Sequence, residues 1–218
     1  MNTRVTNILS GMALLACLLP PAVVQAHPDP VEVLQGMSDQ VIAIVDKDPG
    51  ILNDVARMRE VADVIVVQNV DFILFSKWVL GKNWRKATPE QREVFIAEFT
   101  ELMINSYLST FTSEDYKNQV VHYKPVRKTN DPKKVMVVTE VEQSNGPLLD
   151  IRFRMHLDDT GWKVYDVVIE GVSMVATQRS SISDIIRRKG IDGLIAMMEE
   201  RNREKSSASS TAETVPEE

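Results

Sequence analysis

The stretch GWKVYDVVIEGVSMV, residues 161–175, decides the fold that the sequence predicts. It has the pattern of a strand that passes through Gly171 into a helix. Successive side chains of a strand point to opposite faces, so a strand with one face in water alternates apolar and polar residues. This stretch instead carries apolar side chains on both faces. We therefore expect a strand that is covered on both sides.

Three more strands are predicted before it, because the period of the apolar side chains changes to two at Val120. They are residues 120–126, 135–142 and 148–157. The turn-forming sequences Asn145-Gly146 and Asp158-Asp159-Thr160-Gly161 separate the last three predicted strands. We therefore expect these three strands to form an antiparallel meander.

Helices are predicted before the sheet. Asp29, Pro30 and Glu32 have the spacing of a capping box at the start of a helix, and residues 48–49 repeat the start signal. A short helix is expected over residues 72–80, where a glycine follows its last residue. These signals place several helices on the N-terminal side of the sheet.

The strongest helix signal in the chain lies at Thr88. Thr88 can cap the helix, Pro89 takes its first position, and Gln91 can reach back to the cap. This helix is expected to extend to about Phe111. Helical spacing returns after the sheet and predicts a helix that ends at Gly190, followed by a last short helix.

Helices, a meander and further helices together predict an α+β fold. We expect a curved antiparallel four-stranded meander sheet, covered by N-terminal and C-terminal helices. Such a sheet can leave an apolar pocket between itself and the helices. The predicted organisation is a signal peptide at 1–26, one α+β domain at 27–203 and a disordered tail at 204–218.

The first 26 residues have the pattern of a cleaved secretory signal peptide. Arg4 provides the positive charge, residues 8–24 are apolar, and Ala26 fits the cleavage site. Two alternatives remain open at this point: an uncleaved membrane anchor, and a lipid anchor on Cys17. Cys17 is the only cysteine of the 218 residues, so the mature chain is predicted to form no disulfide.

The composition excludes some classes of function. The formal net charge of −6 argues against a nucleic-acid-binding protein. The three histidines are scattered and lack metal-ligand spacing, and no phosphate-binding glycine loop is present. Ser173 lies two residues after Gly171, as in a nucleophile elbow, but Val175 stands where the second glycine of that motif should be. A helix N-cap is therefore the favoured interpretation of Ser173.

Asp166 is the ionisable group that needs an explanation, because it lies in the middle of the predicted strand 161–169. A buried carboxylate requires partners. It could act as a general base in a cone-shaped pocket, as in small isomerases. The alternative that we favour is a structural carboxylate that accepts hydrogen bonds from the backbone or from Arg179.

Three segments carry a resemblance to a known family: LGKNWRKATPEQR at 80–92, WKVYDVVIEGVSM at 162–174 and KGIDGLI at 189–195. Aromatic residues between the first two fit the same pattern: Phe95, Phe99 and Tyr107. In order and spacing they resemble the MlaC (toluene-tolerance) family of periplasmic phospholipid-binding proteins. The resemblance extends over residues 30–201.

This resemblance implies a periplasmic carrier that holds a glycerophospholipid by its acyl chains and has no catalytic residue, metal or cofactor. Its partners would be an outer-membrane lipoprotein–porin complex and an inner-membrane ABC transporter with an MCE-domain protein. The exchange would maintain the lipid asymmetry of the outer membrane. We expect a monomer that does not bind nucleic acid.

The apolar faces of the predicted elements supply candidate lipid-binding residues, and the methionines among them suit a cargo of variable chain length. They are Phe72, Phe75, Phe99, Met103, Tyr107, Val137, Thr139, Ile151, Phe153, Met155, Val167, Ile169 and Met174. Two alternatives to the carrier remain: a small pocket enzyme that uses Asp166, and an interaction module with a solid core.

Overall fold

The computed structural model describes residues 27–108, 120–143 and 146–212. The predicted signal peptide lies outside the described residues, as does the side chain of Tyr107. The helices on the N-terminal side of the sheet are α1 Pro30–Lys47, a 3-10 helix Pro49–Asn53, α2 Val55–Asn69, α3 Phe72–Leu80, a second 3-10 helix Gly81–Arg85, and α4 Pro89–Leu108.

Side-chain caps fix the starts of the first and fourth helices, as the sequence predicts. At α1, the Asp29 carboxylate accepts from the amide of Val31 at 2.9 Å, and the Asp29 amide donates to Glu32 at 3.1 Å. At α4, the amides of Thr88 and Gln91 each donate to the other residue's side chain, at 3.0 and 3.2 Å. Both ends thereby satisfy amides that a helix leaves unpaired.

The sheet is antiparallel, with the strand order β1-β3-β4-β5-β6, and β2 also pairs with β3. The fold class, α+β with an antiparallel sheet and flanking helices, is confirmed, and the central meander of β3, β4 and β5 matches its prediction. The strands are β1 Val121–Tyr123, β2 Arg127–Lys128, β3 Lys134–Val141, β4 Leu149–Asp158, β5 Gly161–Ile169 and β6 Val172–Ser173.

The predicted count of four strands is wrong, for two local reasons. Pro125 lacks an amide hydrogen and lies between β1 and β2, so that the predicted strand 120–126 is interrupted. Glu170 and Gly171 both have positive φ, 48° and 80°, and form a two-residue hairpin turn that returns the chain as β6. The helix therefore begins at Met174, after this extra strand.

Strand β5 is covered on both faces, as the sequence predicts, since none of residues 161–168 is exposed. The short β6 pairs only with Val168 and Ile169, so most of the outer edge of β5 has no neighbouring strand among the described residues. There the connection between α2 and α3 takes the place of a strand: Val70 forms a parallel bridge with Val164, and the Asp71 amide donates to the Val164 carbonyl at 2.8 Å. An edge strand that would otherwise be open is thereby paired.

The C-terminal helix α5, Met174–Ala212, contains a break at Gly190, where φ is 74° and ψ is −179°. Only glycine adopts this conformation without strain. The predicted end of a helix at Gly190 therefore corresponds to this break. Residues 204–212, the first part of the segment predicted as a disordered tail, continue the helix, while residues 213–218 lie outside the described residues.

Two groups of buried side chains form the interior. The helical cluster joins α3, α4 and α5 and consists of Phe75, Val79, Leu80, Phe95, Phe99, Met103, Val175, Ile182, Leu194 and Met198. The sheet cluster joins α1 to the sheet and consists of Leu34, Val135, Val137, Met155 and Val164. Residues of both clusters meet at the cavity described next.

Candidate functional site

An apolar cavity of about 300 Å³, called here the main cavity, opens between the helical cluster and the sheet. Helices α1 to α5 and strands β4 and β5 contribute to its wall. Of the described residues that line it, only Tyr165 and Asp166 have polar side chains. The lining residues are Met37, Ala62, Val66, Val70, Phe72, Phe75, Met103, Ile104, Phe153, Val164, Tyr165, Asp166, Val167, Ile169 and Met174.

A second cavity of about 290 Å³ lies between the α1–α2 pair and the other half of the sheet. Its wall is mixed, since the hydroxyl groups of Ser38, Tyr123 and Thr139 accompany the apolar side chains. Burial raises the pKa of the Tyr123 phenol, and the negative charge of Asp39 adds to that effect. The lining residues are Leu34, Met37, Ser38, Val41, Ile65, Val66, Val121, Tyr123, Thr139, Val141, Ile151 and Phe153.

Asp166 lies at the wall of the main cavity, with a side chain that is 0% exposed. Its Oδ2 accepts from Arg154 Nη1 at 3.0 Å and from the Ser173 hydroxyl at 2.7 Å, and its Oδ1 accepts from the Val175 amide at 2.9 Å. The Ser173 oxygen in turn accepts from the amide of Ala176 at 3.1 Å, so Ser173 is the predicted N-cap. Both carboxylate oxygens thus hold the start of α5 against β5.

The cation that binds Asp166 is not the one that the sequence suggested. The sequence suggested backbone groups or Arg179. A backbone amide is indeed bound, but the cation is Arg154 from the adjacent strand. The guanidinium of Arg179 instead lies against the backbone of Gly81, where φ is 53°. Arg154 and Asp166 are directly opposite in the β4–β5 register, which the sequence spacing alone did not reveal.

Two polar links fix the helices that wall the main cavity. Arg59 of α2 binds Glu101 of α4 through two hydrogen bonds of 2.6 Å, and this carboxylate raises the pKa of Arg59 above its ordinary value. At the start of α3, Asp71 accepts from the Leu74 amide at 2.7 Å and lies 2.7 Å from His156 Nε2 of β4. These links hold α2 on α4 and α3 on the sheet.

Comparison with known proteins identifies the family. The family model described as MlaC protein matches residues 35–200. The chain belongs to the MlaC family. It is 27% identical over 185 residues to the intermembrane phospholipid transport system binding protein MlaC of Haemophilus influenzae, covering 80% of this chain and 83% of that one. It is 26% identical to the toluene tolerance protein ttg2D of Pseudomonas putida, covering 84% of each chain.

A solved structure has the same architecture. The phospholipid-binding protein of Ralstonia solanacearum, determined in complex with a phospholipid, superposes with a TM-score of 0.72 at 29% identity. The superposition covers 82% of this chain and 99% of that one. The identification as a member of the MlaC family, which the sequence motifs suggested, is thus confirmed.

The three segments that resemble the MlaC family lie around the helical cluster. Residues 80–92 connect α3 to α4, residues 162–174 form β5, β6 and the start of α5, and residues 189–195 surround the break in α5. Gln91 of the first segment donates to Asp192 of the third at 2.6 Å. The MlaC-like motifs therefore build the frame beside the main cavity, and part of its wall.

The structure brings most of the predicted lipid-binding residues to a cavity. Those at the main cavity are Phe72, Phe75, Met103, Phe153, Val167, Ile169 and Met174. Thr139 and Ile151 line the second cavity, which Phe153 also borders. Tyr107 lies outside the described side chains.

Three predicted residues line neither of these two cavities: Phe99, Val137 and Met155, each 0% exposed. Phe99 stacks on Phe95 with ring centres 5.4 Å apart and meets Phe75 edge to face at 5.2 Å. Val137 and Met155 pack in the sheet cluster. The sequence gives the face on which a side chain lies, but neighbours decide whether that face is packed or open.

Sequence reasoning missed the part of the wall that α1 and α2 provide. The helical spacing of Leu34, Met37 and Val41 was visible in the sequence and could have indicated it. The omitted residues at the main cavity belong to these two helices, to the connection after α2, and also to α4 and β5: Met37, Ala62, Val66, Val70, Ile104, Val164, Tyr165 and Asp166.

Among residues 27–108, 120–143 and 146–212, no helix is long and apolar enough to cross a membrane. Within the same ranges, no group of three or more histidine, cysteine, aspartate or glutamate side chains could hold a metal ion.

Proposed function

We propose that this protein is a periplasmic phospholipid carrier that holds the acyl chains of a glycerophospholipid in the main cavity. The observation that carries the proposal is the wall of that cavity, in which apolar side chains and Tyr165 surround a buried carboxylate whose two oxygens are both hydrogen-bonded. The bound phospholipid of the Ralstonia solanacearum protein supports the same cargo here. The predicted signal peptide at 1–26 supports export to the periplasm.

The energetics of such a cargo favour assisted delivery. A buried methylene contributes about 0.8 kcal/mol, so an acyl chain of about 16 carbons contributes on the order of 12 kcal/mol before ordering costs are subtracted. A lipid held this tightly leaves very slowly into water. The carrier therefore needs a docked partner that opens the cavity or offers a competing apolar surface.

The partners that fit this role lie at the two membranes. On the outer membrane we propose a lipoprotein–porin complex, and on the inner membrane an ABC transporter with an MCE-domain protein. The carrier would pass between them as a monomer and so maintain the lipid asymmetry of the outer membrane. The membrane complexes would supply the energy, so that the carrier needs no nucleotide, metal or cofactor of its own.

The direct test is extraction of the protein with organic solvent after purification from the periplasm without detergent, followed by mass spectrometry. We expect glycerophospholipid in about equal molar amount with the protein. A second arm uses the double variant Met103→Trp with Phe153→Trp, which fills the main cavity from opposite walls. We expect it to stay folded and to lose most of its lipid.

The matched control places tryptophans on the same helix and a neighbouring one without touching the main cavity: Val94→Trp with Val64→Trp, both at exposed positions. The control is expected to keep its lipid. Absence of phospholipid from the unaltered protein, or normal load in the cavity-filling variant, would contradict the proposal.

A further inference from the structure

The main cavity and the second cavity share one stretch of wall. Met37 of α1, Val66 of α2 and Phe153 of β4 belong to the lining of both. Each of the three side chains comes from a different element, and each is partly rather than fully buried. We call these three residues the partition.

The volumes of the two cavities show why passage across the partition matters for the cargo. The two cavities measure about 300 and 290 Å³, so joining them offers a cargo about twice the space of either one alone. Each alone is at the lower end of the range for small-molecule sites, which is about 300–1,000 Å³. The amount of hydrocarbon that the protein can hold therefore depends on whether cargo can pass the partition.

The second cavity can accept hydrocarbon in spite of its hydroxyl groups. The Thr139 hydroxyl already donates to the Ile151 carbonyl at 3.0 Å, so it needs no polar partner from a ligand. Most of the remaining wall consists of valine, leucine, isoleucine, methionine and phenylalanine side chains. An apolar chain that passed the partition would exchange water for carbon contacts.

The three side chains differ in how easily they move. Methionine is unbranched and repacks readily, whereas valine is restricted at χ1 by its branched β-carbon. The Met37 side chain can therefore change rotamer and open the passage, while the Val66 side chain keeps one rotamer at its edge. Phe153 lies at the centre of the sheet, opposite Val137 on β3 and Val167 on β5, so its backbone is held on both sides.

We propose that Met37, Val66 and Phe153 determine how much acyl chain the bound lipid carries, by controlling passage from the main cavity into the second cavity. This inference rests on the proposed function, because it requires a lipid in the main cavity. The three partition residues thereby determine the specificity of the carrier for acyl length and number. Small side chains at the partition admit more hydrocarbon, and large ones admit less.

The experiment compares acyl compositions of lipids extracted from folded variants. Met37→Ala removes about three methylene-sized groups from the partition, so the mean acyl carbon number per bound lipid should rise by about two. Val66→Trp narrows the opening, and the same mean should fall by about two or more, with a larger share of single-chain lipids. Circular dichroism establishes that each variant is folded.

Val64→Trp is the matched control, because Val64 lies on the same helix, is 55% exposed and lines neither cavity. Its lipids should match those of the unaltered protein. The inference is overturned if the unaltered protein is loaded but neither variant shifts the acyl composition. It is also overturned if Val64→Trp produces the same shift.

Three other outcomes lead to different conclusions. An unaltered protein without lipid contradicts the proposed function itself, before any variant is compared. If Val66→Trp does not fold, Met37→Ala decides alone, because truncating a partly buried methionine beside two cavities leaves the fold intact. A fall in the amount of bound lipid without a change in its acyl composition contradicts the proposed role of the partition.

Discussion

The helical cluster and the sheet cluster differ in both composition and packing, since three phenylalanines are among the buried residues of the first and none among those of the second. In the helical cluster, stacked and edge-to-face phenylalanines are surrounded by side chains from three helices. The sheet cluster has fewer buried members and borders two cavities. We call the helical cluster, from which only Phe75 and Met103 reach the main cavity, the frame, and we call α1, α2 and the sheet, which border both cavities, the adaptable wall.

The largest difference in the free energy of unfolding is expected when one large side chain is removed from each half of the molecule. Phe99→Ala leaves a hole among rings that have no free space, and should lower the free energy of unfolding by about 3–5 kcal/mol. Ile151→Ala acts at a wall that already faces the second cavity, and should cost roughly 1 kcal/mol because part of its surface has no packing partner. Urea denaturation of both variants measures the two losses.

Lipid must be removed before these measurements, because a ligand that binds the folded state adds to its stability. Equal losses in the lipid-free variants would show that the two halves are packed alike, and would remove the basis of the comparison.

Asp166 joins the two halves, and Asp166→Asn should have the next largest effect. The amide side chain cannot accept from Arg154, Ser173 and the Val175 amide together, so we expect a loss of about 2–3 kcal/mol in unfolding free energy. The folded fraction should still bind lipid. Denaturation and lipid extraction of the same preparation provide both values.

Asp150→Asn is the matched control, because Asp150 pairs with Arg152 at 2.7 Å on the partly exposed part of the same sheet. Its cost should stay below about 1 kcal/mol. This pair of variants also tests the alternative of a pocket enzyme. If the unaltered protein shows an enzymatic turnover, and Asp166→Asn abolishes it while the variant stays as stable as the control, a catalytic carboxylate is favoured.

The smallest effect is expected at the link between the adaptable wall and the frame. Arg59→Gln breaks the two hydrogen bonds from α2 to Glu101 on α4, but both side chains are partly exposed. We expect a cost of about 0.5–1 kcal/mol at low salt and less at high salt, because solvent and ions screen the pair.

A double-mutant cycle with Glu101→Gln, measured at two salt concentrations, isolates the interaction between the two side chains. A coupling energy that does not change with salt would argue against an electrostatic link.

The sequence predicted best where local chemistry decides the structure. The caps at Asp29 and Thr88, the meander, the end of α3 at Gly81 and the N-cap at Ser173 all depend on residues close together in the chain. The third predicted strand shows the limit of this reasoning. Its alternation correctly places Ile151, Phe153 and Met155 on one face, yet Met155 is fully packed and the other two line cavities.

What the sequence could not provide depends on contacts between distant segments. The pairing of Arg154 with Asp166 follows from the register of two strands, and the cavity wall from α1 and α2 follows from how that pair lies on the sheet. The extra strand β6 required Glu170, a residue that rarely adopts positive φ, to do so beside Gly171. The strand register and the turn have no periodic signal in the sequence, whereas the helical spacing on α1 gave only a partial signal for the wall.

The break at Gly190 gives the end of the chain a part in the interior. Beyond it, Leu194 and Met198 cover the phenylalanines of α4, and the Asn202 amide donates to the carbonyl of Glu98. A premature stop codon just after Gly190 would uncover those rings, and with them the helix whose Met103 and Ile104 border the main cavity. Residues that follow the break in α5 are thus needed to cover α4, a helix that precedes the whole sheet in the sequence.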